Sequence, residues 1–374
     1  MHIAINLISI QQNSFSSYSN YVLQMVAIWC NKCPQHQFTI FLQNPNEVAF
    51  KQPSNCFVEI VEPLHQNQWR IHYWYHVQLP QKLKKLSTQV CIQPYAITSL
   101  RTNIPQIVFA DNAIHGYLLA PIIQPQKKYS QFLTKKFLQK ATTLIVSNSN
   151  TQTTITKQFQ LSNEKVKSIN YFVSDIFQPI HWEKAEMVKE SYADAHAYYV
   201  YIASILPENN LMNVLKAFSQ FKKWQKSSMK LLVMGLSVTA MAAIKDKLAT
   251  YKYREDVVLL SATTDEETGL IISAAYGVVF ADAYDGYALP TLAAFKSGVA
   301  VITTNEPSIE ALVGDAALLA PLNDIETLAK QLIILYKDEI LRSTLIQKGL
   351  LAVKNYELQE AATLLWNEIA SYET

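Results

Sequence analysis

The sequence predicts an α/β protein of two domains, each a parallel sheet covered on both faces by helices, the two sheets facing a central cleft. Three observations carry this. Short continuous apolar runs alternate with helical patterns along the chain, as strands buried on both faces do. The alternation comes as two series, parted by an aperiodic stretch from Ile176 to Ala195. The length, 374 residues, suits two domains.

In the first series the apolar runs predict strands at Ile3–Ile8, Gln37–Leu42, Phe57–Val61, Val90–Ile92, Ile107–Ala110, Thr143–Val146 and Lys165–Ile169. Helices fall between them, including Tyr21–Cys30 and Tyr129–Lys140. The stretch after Asp175, with Pro179, His181 and Trp182, reads as a linker. The second series predicts strands at Tyr198–Ala203, Lys230–Met234, Val257–Leu260, Tyr276–Phe280 and Val299–Ile302, with helices at Leu211–Trp224 and Glu266–Ala274. Three helical stretches close the chain: Ile325–Tyr336, Glu339–Val353 and Leu358–Tyr372. The expected layout is an N-terminal domain over 1–175, a linker over 176–197, a C-terminal domain over 198–356 and a last helix over 357–374.

Composition narrows the function. The chain is 49% hydrophobic and 17% charged, with a net charge of +2, so neither nucleic acid nor an acidic partner is indicated. No apolar run reaches the ~18 residues that span a bilayer. The first ten residues lack a basic leader and a cleavage site, which places the protein in the cytoplasm. Four cysteines, with Cys30 and Cys33 at a helix end, make neither a disulfide scaffold nor a tetrahedral metal site. His72 and His76 sit one helical turn apart without a third ligand, so no metal is expected there. Only 8 glycines occur against roughly 26 at average usage, and Gly116 alone precedes residue 230, which excludes a glycine-rich phosphate loop from the N-terminal half.

The richest stretch runs VVFADAYDGYALPTLAAFKSGVAVITTNEPSIEALVGDAALLA, residues 278–320. A buried strand feeds a polar loop, Asp282–Tyr287, and then a helix that starts near Pro290 and ends at Gly298. Free backbone N–H groups and the helix dipole at such a start favour an anion. Asp285 stands in the loop as a lone carboxylate; an Asx-turn would serve the same residue. In Lys127–Lys140, Tyr129, Phe132, Leu133 and Phe137 form an apolar stripe at helical spacing, flanked by Lys127, Lys128, Lys135, Lys136 and Lys140. Such a helix either lies on an anionic membrane surface or faces a core with its lysines solvated.

Taken together, YVYIASILPENNLMNVLKAF (Tyr199–Phe218), Val257–Pro290 and ITTNEPSIEALVGDAALLAPLND (Ile302–Asp324) resemble glycosyltransferase family 4 enzymes of the GT-B fold, which has two Rossmann-like domains. The resemblance implies retaining, metal-independent transfer of a sugar from a nucleotide-sugar donor to a glycan or lipid-linked acceptor, with no further cofactor. It puts Asp285 and Asp111 at catalytic positions and Ser204, Asn209, Ala262, Thr263, Gly286, Tyr287, Ala288 and Leu289 on the donor. The chain departs from the family at charged positions. Asp285 replaces the first Glu of a Glu-x7-Glu pair and Ala293 the second, Ser204 and Asn209 replace an Arg and a Lys, and Ala110-Asp111 replaces His-Asp. Glu306 and Glu310 are candidates for replacement carboxylates. The alternative reading is an inactive relative that serves as a binding or scaffolding subunit beside an active paralogue.

Overall fold

The computed structural model describes residues 1–8, 18–43, 52–62, 68–111, 113, 127–203, 210–236, 238–260, 263–282 and 288–373. The chain divides into two compact units. One comprises the described residues up to Phe172 together with those from Tyr356 onward, and the other runs from Val173 to Asn355.

The first unit is built on seven parallel strands: β1 (His2–Asn6), β2 (Gln37–Leu42), β3 (Cys56–Ile60), β4 (Val90–Gln93), β5 (Gln106–Phe109), β6 (Thr143–Val146) and β7 (Val166–Ser168). Their spatial order is β3-β2-β1-β4-β5-β6-β7. Ile3 pairs with Phe38 on one side and Val90 on the other, so β1 is central and carries no exposed apolar residue after its first position. Burial on both faces explains why the inner strands β1, β2, β4, β5 and β6 read as continuous apolar runs and not as alternating ones, while the edge strands β3 and β7 are partly exposed. Between β3 and β4, a helical run begins with Gln68–Tyr73, widens to a π turn over Trp74–Gln78 and returns to α at Leu79–Lys85. The last helix, Leu358–Ala370, closes this unit. Its Trp366 ring lies 6.0 Å from Trp29 and 6.2 Å from Phe38, and Trp29 donates its indole N–H to the Ala362 carbonyl at 2.9 Å.

The second unit holds six parallel strands: β8 (Tyr198–Ile202), β9 (Lys230–Met234), β10 (Val257–Leu259), β11 (Gly277–Phe280), β12 (Ala300–Thr304) and β13 (Leu318–Ala320), in the order β10-β9-β8-β11-β12-β13. Every strand pairing is parallel, from Val257 with Leu231 at one edge to Ile302 with Leu318 at the other. Tyr199 shows how β8 satisfies a polar group at the centre of the core. Its ring packs edge-on against Phe221, and its hydroxyl donates to the Leu332 carbonyl at 2.9 Å. Gly235 and Gly349 sit where a side chain would collide. A Cβ on Gly235, which also has φ +82°, would stand 2.8 Å from the Ala203 carbonyl oxygen, and one on Gly349 would meet the Phe295 ring at 2.5 Å.

The structure holds elements that the sequence reading did not name. The aperiodic stretch contains a twelve-residue helix, Trp182–Ala193, which buries little beyond Val188 and Ala193 and so shows no apolar stripe. The edge strand β13 is three residues long, too short for a period to register. Helix Ser149–Phe159 is largely polar and starts on Asn148, whose side chain accepts from the Thr151 N–H at 2.8 Å. No helix among the described residues is long and apolar enough to cross a membrane.

Candidate functional site

The second sheet has a topological switch point. From β8 the chain moves outward to β9 and β10, then returns to the other side of β8 for β11, β12 and β13. Open parallel sheets bind ligands in the crevice outside the strand carboxyl ends at such a point, because the loops after the two central strands diverge there. The loops in question follow β8 and β11.

Those two loops are latched together from beneath. Asp282, directly after β11, is fully buried; its Oδ1 accepts from the Tyr201 hydroxyl at 2.5 Å and from the backbone N–H of Asn210 at 2.7 Å. Asn210 returns the contact by donating its side-chain amide to the Ala281 carbonyl at 2.8 Å. The carboxylate is an acceptor-only group facing two donors, which suits its ionised form. Burial and the Asp282 charge together push the Tyr201 phenol well above its ordinary range, so it stays a donor. Asn210 in turn starts helix Leu211–Gln225, fixing the start of that helix against the end of β11.

The helix after β11, Leu289–Lys296, begins on Ala288, which adopts a left-handed conformation at φ +52° while fully buried. Pro290 occupies its first turn, and every residue from Leu289 to Phe295 is buried. The Thr291 hydroxyl in that turn is buried and has no hydrogen-bond partner among the described residues. Thr263 shares a 2.7 Å hydrogen bond with Thr268, next to the capping box that Thr264 and Glu267 form at the start of helix Asp265–Ser273.

Asp111 lies in the first unit, just after β5, and is fully buried. One carboxylate oxygen accepts from the Ser147 backbone N–H at 2.8 Å and from its hydroxyl at 2.6 Å, while the other accepts from the Tyr171 hydroxyl. Burial pushes its pKa up to about 7 against the pull of those hydrogen bonds. Both oxygens are thus engaged inside the unit, bracing the carboxyl ends of β5 and β6. Of the residues assigned to donor and catalysis by resemblance, Asp111, Thr263, Ala288 and Leu289 are described. Ser204, Asn209, Ala262, Asp285, Gly286 and Tyr287 lie outside the described residues, on chain segments that begin and end at the residues just described. Glu306 is half-buried and Glu310 exposed, at the start of helix Pro307–Val313.

Sequence reasoning passed over Asp282, Tyr201 and Asn210. Asp282 looked like the first residue of a polar loop, and Tyr201 like one of three tyrosines in an apolar strand. The one available signal was a carboxylate immediately after a strand with no other polar residue. Among the described residues no group of three or more His, Cys, Asp or Glu could hold a metal ion, and all four cysteines are free thiols. In the helix Lys127–Lys140, Thr134, Phe137 and Leu138 are buried in the first unit, while Phe132 is 52% exposed with the Lys136 ammonium 4.5 Å from its ring.

Two parallel doubly wound sheets, the second with its crevice at the switch point, define the GT-B class of α/β proteins. Residues 183–351, which lie within the second unit, match the model of the family described as Glycosyl transferases group 1. The O-antigen chain mannosyltransferase B of Escherichia coli is 24% identical over 166 residues, 44% of each chain. The O-antigen chain mannosyltransferase RfbU of Salmonella typhimurium is 21% identical over 257 residues, 67% of this chain and 65% of the relative. The matches therefore span less than two thirds of either relative. Among solved structures, WaaG, a glycosyltransferase involved in lipopolysaccharide biosynthesis, superposes with a TM-score of 0.76 at 15% identity, covering 97% of this chain and 99% of the other. Anabaena HepE in complex with UDP-glucose superposes with a TM-score of 0.76 at 13% identity, covering 99% and 100%. At such identities the likeness is one of fold.

Proposed function

We propose that the chain transfers a sugar from a nucleoside diphosphate sugar to a glycan or lipid-linked acceptor, with retention and without a metal. The observation that carries this reading is the latched switch point, where Asp282 ties the segment after β8 to the segment after β11. Support comes from the match to Glycosyl transferases group 1, from relatives named as mannosyltransferases and from a neighbour with UDP-glucose bound.

In this reading the donor diphosphate lies across the start of helix Leu289–Lys296, where the N–H groups of Gly286, Tyr287, Ala288 and Leu289 and the helix dipole take up the leaving group's charge. Ser204 and Asn209 donate neutral hydrogen bonds from the segment after β8. Ala262 and Thr263 face the base. Asp285 stabilises the cationic character of the sugar at the transition state. Asp111, on the acceptor side, sets the ends of β5 and β6 and holds a proton near neutral pH. Ser204 and Asn209 stand where an Arg and a Lys would meet the diphosphate, so turnover is expected to be slow; losing one donor to a developing anion costs a factor of ~100 to 1000. The protein works in the cytoplasm, where the exposed Phe132 and the lysines of Lys127–Lys140 give it a peripheral contact with anionic lipid.

The test is a thermal-shift screen with nucleoside diphosphate glucose and mannose, followed by an assay for nucleoside diphosphate release. A ligand at a hundred times its Kd adds about 2.7 kcal/mol of stability. Release that Asp285→Ala abolishes is the expected result. Binding without release would convert the reading to an inactive binding subunit, and absence of any shift would reject both.

A further inference from the structure

We infer that Cys30 and Cys56 form an oxidation site in the first unit, at which hydrogen peroxide converts the two thiols to a disulfide that ties the end of helix Tyr18–Lys32 to the start of β3. The inference does not depend on the transferase reading, which assigns neither residue to donor or catalysis.

The backbone brings the two residues together. Cys30 lies in the last turn of its helix, and Cys56 is the first residue of β3, paired with Phe38 of β2. Asn55, one residue before Cys56, donates its side-chain amide to the Cys30 carbonyl at 3.1 Å and to the His36 carbonyl at 3.0 Å. Its own carbonyl accepts from the Phe38 N–H at 2.9 Å. Asn55 thus clamps the helix end to the start of β2 and sets Cys56 beside Cys30. The helix end is anchored again by Trp29, through its hydrogen bond to the Ala362 carbonyl. The two cysteine side chains hydrogen-bond to each other, with Cys30 2% and Cys56 5% exposed. The pair nevertheless lies close to the surface. β3 is an edge strand, Phe57 beside Cys56 is 49% exposed, and Cys33 at the helix end is half-buried. A local opening at that edge admits an oxidant as small as hydrogen peroxide.

The thiols divide the chemistry between them. The Cys30 hydrogen bond lowers the Cys56 pKa, while the same contact and burial raise that of Cys30. Cys56 therefore ionises first and is the nucleophile. Its thiolate attacks one oxygen of the peroxide, the O–O bond breaks, and Cys56 becomes a sulfenic acid. The departing hydroxide takes up the proton that Cys56 released and leaves as water. The Cys30 sulfur, already in contact, then attacks the Cys56 sulfur. The S–S bond forms, the S–O bond breaks, and the second hydroxide leaves as water with the Cys30 proton. Each sulfur gives up one electron, and the peroxide takes both. Cys33 acts on Cys30 only through its charge, so it is not the bridging partner.

The test exposes the full native chain to hydrogen peroxide, alkylates the remaining thiols with iodoacetamide in denaturant, and maps the peptides by mass spectrometry. A cross-linked peptide joining Cys30 to Cys56, lighter by the mass of two hydrogens, is expected, with Cys33 and Cys91 alkylated. Dithiothreitol in denaturant should return both bridged cysteines to the alkylated pool. The bridge closes the chain from Cys30 to Cys56 into a ring, so the oxidised protein should melt at a higher temperature than the reduced one. Cys33→Ser is expected to bridge as fast as the parent. Cys30→Ala should lose the bridge and leave a sulfenic acid on Cys56 that dimedone traps. The bridge itself is read in the unaltered chain, so that result stands whether or not a buried-cysteine variant folds. Bridges from Cys33 to either partner as the main product would overturn the proposal. Oxygen added to Cys56 without a bridge, or all four cysteines still alkylated after peroxide, would overturn it as well.

Discussion

Asp282 is the residue on which the second unit's crevice turns. A fully buried carboxylate is stable there because it meets two donors, and either donor left alone would be a buried polar group without a partner. Asp282→Asn keeps the volume and the oxygen that accepts both donors, but it removes the charge that strengthens the two bonds and puts an amide N–H₂ in place of the other buried carboxylate oxygen. It is expected to lower the free energy of unfolding by about 2 kcal/mol or more, and Tyr201→Phe by about 1 kcal/mol. Urea unfolding measures both, and an Asp282→Asn protein as stable as the parent would remove the latch from the argument. Asp111 makes a different kind of prediction. Its carboxyl ionises near 3.9 in an unfolded chain and at about 7 in the folded one. Between those values the folded state binds more protons, so its contribution is fully present below pH 4 and is lost as the pH rises through 7. The stability difference between the parent and Asp111→Asn should therefore shrink or reverse between pH 5 and pH 8. A difference that stayed constant across that range would show that Asp111 is ionised throughout.

At the scale of elements, the parallel strands were legible because burial on both faces leaves a continuous apolar run, as in the β8 sequence Tyr198–Ile202, every residue of which is buried. The helix Trp182–Ala193 and the strand β13 were not, because a mostly exposed helix and a three-residue edge strand carry no period. The candidate site was legible only as a pair of segments, after β8 and after β11, most of whose assigned residues lie outside the described ones. The latch between them was not, because Asn210 and Asp282 are 72 positions apart and only the strand order makes β8 and β11 neighbours. Helix Leu289–Lys296 shows how an element can fit its fold imperfectly. Ala288 holds a left-handed conformation at its start, which disfavours any residue with a Cβ by roughly 1 kcal/mol. Ala288→Gly should relieve that and leave stability unchanged or up to about 1 kcal/mol higher, while Ala288→Val should lower it. Thermal unfolding of the two variants decides the point, since a stabilised valine variant would contradict the left-handed assignment.

For the whole molecule the consequence lies in how the chain returns. The last helix, Leu358–Ala370, belongs to the first unit although it follows the second in sequence. It buries Ala361, Ala362, Leu365 and Ile369 and sets Trp366 beside Trp29, His36 and Phe38, and Tyr372 shares a 2.7 Å hydrogen bond with Thr143. Burying a large apolar side chain contributes about 1.5–3 kcal/mol, so this helix supplies an amount comparable with the stability of an entire domain, about 5–15 kcal/mol. A chain ended after Asn355 should therefore lose the first unit's cooperative unfolding transition in calorimetry while keeping the second's. The surviving transition should still rise when a nucleoside diphosphate binds at the switch point. Two transitions at their original temperatures would mean that the first unit folds without its last helix, and the loss of both would mean that the second unit depends on the first.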